Sequence, residues 1–255
     1  MGLTHSSSTK QGLKDLFNVE KFKEEDYVIA LAGNPNTGKS TVFNALTGLH
    51  QHTGNWPGKT VVNSQGKYGH RDTNFIIVDL PGTYSLLASS VEEIVARDFI
   101  CFGKPDVTVV VLDATCIERN LNLLLQVMEI TDKVVACVNL MDEAKSKNIR
   151  IDMGALSNEL GIPVVPTTAR SNIGMNILKD NIYDLCTNKI HTCSVQIQYS
   201  KIIEEELKRL TPMLSSIFMD KINTKWLALR LLDGDESLLN SISKYLDYDL
   251  GILKK

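Results

Sequence analysis

Four short phrases carry residues whose types and spacing suit nucleotide chemistry. Gly33-Asn34-Pro35-Asn36-Thr37-Gly38-Lys39-Ser40 matches G-x-x-x-x-G-K-[ST] at every position, and Thr41 follows as a helix begins. In such a loop the glycines let backbone N–H groups turn inward around phosphates, and the helix N-terminus adds positive potential. Lys39 is placed to bridge the terminal phosphates as a point charge, and the Ser40 hydroxyl to ligate Mg²⁺. Asp79-Leu80-Pro81-Gly82 is the second phrase. There Asp79 suits a Mg²⁺-bound water, and the Gly82 N–H suits a γ-phosphate.

The third phrase, Asn139-Leu140-Met141-Asp142, has Asn-x-x-Asp spacing. A carboxylate at Asp142 accepts from both N1–H and the 2-amine of guanine, while adenine would leave it unmatched, a discrimination worth a few kcal/mol, about 1–3 per buried unpaired group. Asn139 would tie this loop to the first. The fourth phrase, Thr167-Thr168-Ala169-Arg170, is expected to aim the Ala169 N–H at guanine O6, with Thr168 and Arg170 beside it. The order of these elements predicts GTP binding.

A GTPase also needs a threonine between the first two phrases, reaching Mg²⁺ and the γ-phosphate in the GTP state. Thr60 is the choice over Thr53, flanked by Gly58, Lys59 and Val61, with Gly58 as hinge. Loss of the γ-phosphate would release this loop. Thr83 stands where many small GTPases have a water-orienting glutamine, and no arginine in the loop offers itself as a finger. Catalysis then falls to electrostatics around the phosphates, with Lys39, Thr60 and Gly82. His50 and His52 in the same loop read as solvated rather than as a metal pair, and Trp56 as either a core anchor or a mobile residue.

These phrases must hang on a scaffold. Val28–Ala32, Phe75–Asp79, Val107–Asp113, Val134–Asn139 and Pro163–Thr167 are short apolar runs that read as buried strands. Helical stretches alternate with them, at 41–46, 91–102 and 120–131. In the last, Leu121, Leu124, Leu125 and Met128 share a face. The pattern predicts an α/β fold of P-loop GTPase (Ras-like) type: a mostly parallel sheet with helices on both faces. Strand signals stop near residue 188. Stripes at Ile203/Leu207/Leu210, Trp226/Leu229/Leu232 and Leu239/Ile242/Leu246 then predict a small all-α domain that docks on the first. The division expected is 1–25 as an N-terminal extension with a short helix near 13–22, 26–188 as the GTP-binding domain and 189–255 as the helical domain.

Composition narrows the function classes. The 255 residues are 43% hydrophobic and 22% charged, enough apolar material for a core. Lys and Arg total 27 against 30 for Asp and Glu, a net charge of -3 that argues against a dedicated nucleic-acid binder. No run approaches the roughly 20 apolar residues of a membrane span. Met1-Gly2 with Ser6 fits a myristoylation pattern that is short and common, and is read as chance. The five cysteines form no CxxC pair. Cys101, Cys116 and Cys137 read as small core residues, in a reducing cytosolic setting.

The phrases Gly-Asn-Pro-Asn-x-Gly-Lys-Ser, Asn55 to Val61, and Asp79 to Leu86, with Lys225-Trp226-Leu227-Ala228 and Leu231 to Asp235, resemble the ferrous iron transport protein B (FeoB) family over residue 26 to the end. The resemblance implies a G domain plus a helical domain likened to a nucleotide-dissociation inhibitor. It implies a membrane-embedded portion of the same polypeptide, at the cytoplasmic face of the bacterial inner membrane, and leaves room for a homo-oligomer. It implies GTP hydrolysis stimulated by K⁺, with Asn36 as a K⁺ ligand completed by carbonyls near Asn55 and Trp56. A free-standing ribosome-assembly GTPase and a non-catalytic GTP sensor are the alternatives. The acidic tail, with Glu204-Glu205-Glu206, Asp233, Asp235 and Glu236, disfavours the RNA-binding version.

Overall fold

A strand buried on both faces is apolar along most of its length, and three segments meet that demand. Tyr27–Gly33 (β1), Val107–Asp113 (β5) and Val134–Asn139 (β6) are buried along nearly their whole length. They occupy the middle of a seven-stranded sheet in the computed structural model, which describes residues 25–48, 51–87 and 89–246 together with Phe17, Val19, Lys23 and Tyr248. The sheet order is β2-β3-β4-β1-β5-β6-β7. Here β2 is Gln51–Asn55, β3 Val62–His70, β4 Thr73–Asp79 and β7 Val164–Pro166. The pairs among β4, β1, β5, β6 and β7 are parallel, and β2–β3 and β3–β4 are antiparallel.

The five expected strands are present, and the sheet is mostly parallel with helices on both faces. Two strands were not foreseen. The span read as a switch loop, His50 to Val61, contains β2, and β3 follows it directly; together they extend the sheet at its edge. An edge ribbon needs no continuous apolar run, so Val62–His70 carries no such signal.

Alternate residues of β1 enter different cores. Ile29 and Leu31 pack with Val42, Phe43 and Leu46 of α1 (Lys39–Thr47) and with Leu178 and Ile182 of α6 (Met175–Cys186). Val28, Ala30 and Ala32 pack on the other face with α2 (Val91–Asp98) and α3 (Ile117–Ile130). That second core is continuous with Leu207 and Leu214 of α7 (Lys201–Phe218), Trp226 and Leu227 of α8 (Thr224–Leu232), and Leu238 and Ile242 of α9 (Glu236–Leu246). The tail helices are therefore docked, as their small size requires. The remaining helices are α4 (Met141–Ser146) and α5 (Met153–Leu160).

Several helical details differ from the sequence reading. α2 ends at Asp98 and a π-turn, Phe99–Gly103, takes its place. α3 buries Leu123 and Val127 with Leu124 and Met128, so its apolar face is rotated from the one expected. Leu232 is exposed, because α8 buries the adjacent face with Leu227 and Ala228. Cys116 is exposed at the N-cap of α3 rather than in the core, while Cys101, Cys137 and Cys186 are buried. The leader helix at 13–22 and the myristoylation pattern lie outside the described residues, apart from Phe17 and Val19, which are buried.

A buried polar knot joins α2 to the tail helices. The Arg97 guanidinium is fully buried and donates to Asp98 Oδ1 at 3.0 and 2.8 Å. It also donates to Asp235 Oδ2 at 3.1 Å, Ser237 Oγ at 2.7 Å and Ser241 Oγ at 3.0 Å. The Ser241 hydroxyl lies 2.9 Å from Asp98 Oδ2.

Candidate functional site: a phosphate loop at the strand ends

Register brings the motif loops to one end of the sheet. Leu31 pairs with Asp79, Gly33 with Val111, and Asp113 with Asn139. All these loops thus leave from the carboxyl ends of parallel strands. β1 sits between β4 and β5, the switch point where open α/β sheets bind ligands.

The loop Gly33 to Ser40 folds back on itself before α1. Thr37 Oγ1 donates to the Asn34 carbonyl at 3.0 Å, and Asn36 and Gly38 have φ of 67° and 77°. Gly38 is required twice over. Its φ disfavours any side chain, and a Cβ there would stand 2.4 Å from Asn139 Nδ2. Asn36, Ser40 and Thr41 are exposed. The N-cap position of α1 is Gly38, so Asn36 does not cap it. Asn34 is buried, and neither atom of its carboxamide has a hydrogen-bond partner.

Lys39 Nζ pairs with Asp79 Oδ1. Burial pushes the Asp79 carboxyl above its ordinary value, opposed by the Lys39 charge and hydrogen bond. An ammonium and a largely buried carboxylate facing one another at a helix N-terminus suit a phosphate-bound divalent cation, which would supply Asp79 with a second positive neighbour. The two phosphate loops touch. The Leu80 N–H donates to the Leu31 carbonyl at 3.0 Å and the Thr83 N–H to the Gly33 carbonyl at 3.3 Å. At Gly82 an added Cβ would contact Pro35 at 3.5 Å. Thr83 is buried, so its hydroxyl is not at the surface where a water-orienting group would stand. Beyond it, the Glu93 carboxylate accepts from Ser85 Oγ at 3.0 Å and the Ser89 N–H at 2.7 Å, and Gln126 Oε1 accepts from the Leu86 N–H at 2.6 Å.

Asn139 joins three loops. Its Nδ2 donates to the Thr37 carbonyl at 3.1 Å, and its Oδ1 accepts from the Ala169 N–H at 3.0 Å and Thr167 Oγ1 at 3.2 Å. The expected tie to the phosphate loop is there. The Ala169 N–H, expected to face guanine O6 when nucleotide is bound, donates to Asn139 Oδ1 in this structure. Leu140, at φ 62°, turns the chain into α4, whose first turn holds Met141 and the exposed Asp142. Thr168 is buried, and Arg170 is exposed on a short 3₁₀ turn.

The Thr60 segment is anchored toward the core through Trp56. Trp56 is buried in the core, in edge contact with Phe17 and Phe99 at 6.4 and 5.4 Å between ring centres. The Trp56 N–H donates to the Val61 carbonyl and the Lys59 N–H to the Trp56 carbonyl, both at 2.9 Å. The Trp56 carbonyl, assigned to K⁺ in the sequence reading, is therefore already engaged. Lys59 lines the same groove as Asp98, and desolvation lowers its pKa, with the Asp98 charge opposing and the Lys244 and Arg97 charges adding to the fall. Gly58 has φ 70° with open space around it, and Thr60 is exposed. His50, and the side chain of His52, lie outside the described residues. Among the described residues no cluster of three metal-ligating side chains occurs, and no helix is long and apolar enough to cross a membrane.

Comparison with known proteins places this site in a family. The family profile described as ferrous iron transport protein B matches residues 27–182, and the one described as the FeoB cytosolic helical domain matches 199–253. The Fe(2+) transporter FeoB of Shigella flexneri is 37% identical over 234 residues, covering 89% of this chain and 30% of its own length. That of Methanocaldococcus jannaschii is 40% identical over 253 residues, covering 91% of this chain and 37% of its own. The chain thus spans about a third of the curated relatives it matches. Among solved structures, the cytosolic domain of the T. maritima FeoB iron transporter in a GDP form superposes with TM-score 0.77 at 37% identity, over 85% of this chain and 84% of that one. The FeoB G-domain from Methanococcus jannaschii gives 0.57 at 45% identity, over 64% and 99%. The strand-end loops, the GTPase fold and both profiles agree: this chain belongs to the ferrous iron transport protein B family, as its G domain and cytosolic helical domain.

Proposed function

We propose that the chain binds GTP and GDP and hydrolyses GTP, as the nucleotide switch of a ferrous iron transporter. Residues 26–188 form the G domain, 189–255 the helical domain, and 1–25 an extension. The observation that carries this reading is the Asn139 carboxamide, which locks the phosphate loop to both base-side loops and leaves the Asp142 carboxylate free at the surface. The backbone of Gly33 to Ser40 cradles the phosphates. Lys39 leaves Asp79 to pair with them. Ser40 and Asp79 would hold Mg²⁺, which when bound supplies positive charge against the phosphate oxygens. Thr60 joins them only after its turn moves. With no amide at position 83, the reaction depends on charge at the phosphates, and Asn36, exposed on the loop, is the residue for K⁺. The partner is the membrane portion of the same polypeptide at the cytoplasmic face of the inner membrane, with self-association as a further level.

The test is base specificity. Asp142→Asn replaces two acceptors by one acceptor and one donor, matching xanthine, which has a 2-carbonyl and an N1–H. Labelled GDP should bind wild type, and the variant should lose at least 100-fold in GDP affinity while gaining xanthosine diphosphate. Equal GDP binding by both proteins refutes the assignment.

A further inference from the structure

Phe17 lies ahead of the residues matched by either family profile, yet it is buried in the middle of the molecule. Its ring stacks on Tyr245 of α9 at 5.1 Å and 18°, and meets Phe99, in the π-turn after α2, edge-on at 5.3 Å. The Trp56 ring closes the third side, and Phe102 stacks on the far face of Tyr245 at 5.0 Å. The Phe17 carbonyl accepts from Asn63 Nδ2 of β3 at 3.3 Å. Val19 is buried in the same core.

One residue thus touches the Thr60 segment, the end of the helix that follows Asp79-Leu80-Pro81-Gly82, and the helical domain. We propose that Phe17 and Val19 act as an internal clamp, an intramolecular ligand for the groove between Trp56, Phe99 and Tyr245, which holds the Thr60 turn on the helical domain. This rests on the nucleotide reading given above.

Trp56 and Thr60 move together, because the Trp56–Val61 and Lys59–Trp56 backbone bonds close the turn that contains them. On this proposal Thr60 reaches the phosphates when Trp56 leaves the groove. That departure has a driving term already in place. The Trp56 indole N–H is buried without a partner, a standing cost that any position with access to water removes. Ring contacts, of which Phe17 supplies the central set, offset it. Seating Phe17 favours the turn as it stands, and removing it favours closure over the nucleotide.

The full chain is the material for the test, as wild type, Phe17→Leu and Phe17→Ala, with Tyr245→Leu reaching the same stack from the other side. Three readouts are taken: acrylamide quenching of tryptophan, release of fluorescent GDP and steady-state GTP turnover with Mg²⁺. Phe17→Ala should raise quenching and raise turnover at least threefold, with Phe17→Leu between it and wild type and Tyr245→Leu moving the same way. Should Phe17→Ala fold poorly, Phe17→Leu and Tyr245→Leu carry the same comparison. Unchanged quenching overturns the clamp. So does increased quenching with unchanged GDP release and turnover, which would make Phe17 a packing residue only. A wild type that binds no guanine nucleotide overturns the nucleotide reading and the clamp with it, whereas normal wild-type binding with unaltered variants overturns the clamp alone.

Discussion

Replacing Arg97 with methionine removes the centre of the knot that joins α2 to the tail helices. Methionine keeps much of the apolar stem, so the cavity left is small. The loss is electrical. Asp98 is 3% exposed and would keep the Ser241 hydroxyl as its partner in place of a two-pronged guanidinium. Asp235 would lose its 3.1 Å contact but is nearer solvent. Removing one partner of a buried ion pair costs about 3–5 kcal/mol, because the other charge stays buried and uncompensated. Against a total of roughly 5–15 kcal/mol for a folded protein, that is a large share. At about 2–4 °C per kcal/mol for a chain of this size, the melting temperature should fall by about 6–20 °C. Calorimetry and urea unfolding of the full chain measure it. Arg97→Lys should recover part of the loss, since one ammonium cannot reach both carboxylates as a planar fork does. The double variant Arg97→Met/Asp98→Leu should be less damaged than the sum of the singles. A loss below about 1 kcal/mol for Arg97→Met, or full additivity in the double variant, would refute the reasoning.

Three further outcomes are expected. Gly38→Ala adds a Cβ only 2.4 Å from Asn139 Nδ2 at a φ of 77°, so it should lower GDP affinity at least tenfold, while a change below twofold in a fluorescent-nucleotide titration would show that the Asn139 tie is dispensable. Asn36→Ala should slow GTP turnover and abolish its stimulation by K⁺, and phosphate release measured in K⁺ against Na⁺ decides this, with unchanged K⁺ dependence ruling out the assignment. The Asp180 carboxyl is held below its usual range by the hydrogen bond to His70 and by the Arg71 charge, with burial opposing. A depressed carboxyl contributes stability above its unfolded value of about 3.9 and loses it as pH falls through the folded value. The gap in melting temperature between wild type and Asp180→Asn should therefore be full above about pH 5 and close toward pH 3; a gap that widens in acid would reverse the sign.

Sequence alone determined the parts of this protein that are written locally. Gly33 to Ser40 dictates its own loop, because two glycines, a lysine and a helix start suffice to shape a phosphate cradle. β1, β5 and β6 announce themselves as unbroken apolar runs, since a central parallel strand has no face left for water. Asn139 was legible as the tie between loops from its place in the Asn-x-x-Asp phrase, although the Thr37 carbonyl it bonds lies 102 positions earlier. Only the tertiary structure decided the rest. β3 exists by pairing with β4 and β2 by pairing with β3, and their mixed composition carries no signal without those neighbours. Arg97 reads as one more charged residue on an amphipathic helix, and only Asp235 and Ser241, about 140 positions onward, make it a buried one. Trp56 could be read as anchor or mobile residue. In this structure it packs against Phe17, whose ring stacks on Tyr245 near the other end of the chain. Periodicity and spacing report what a residue does for its own element, while burial of a charge or a ring depends on partners that chain proximity does not reveal.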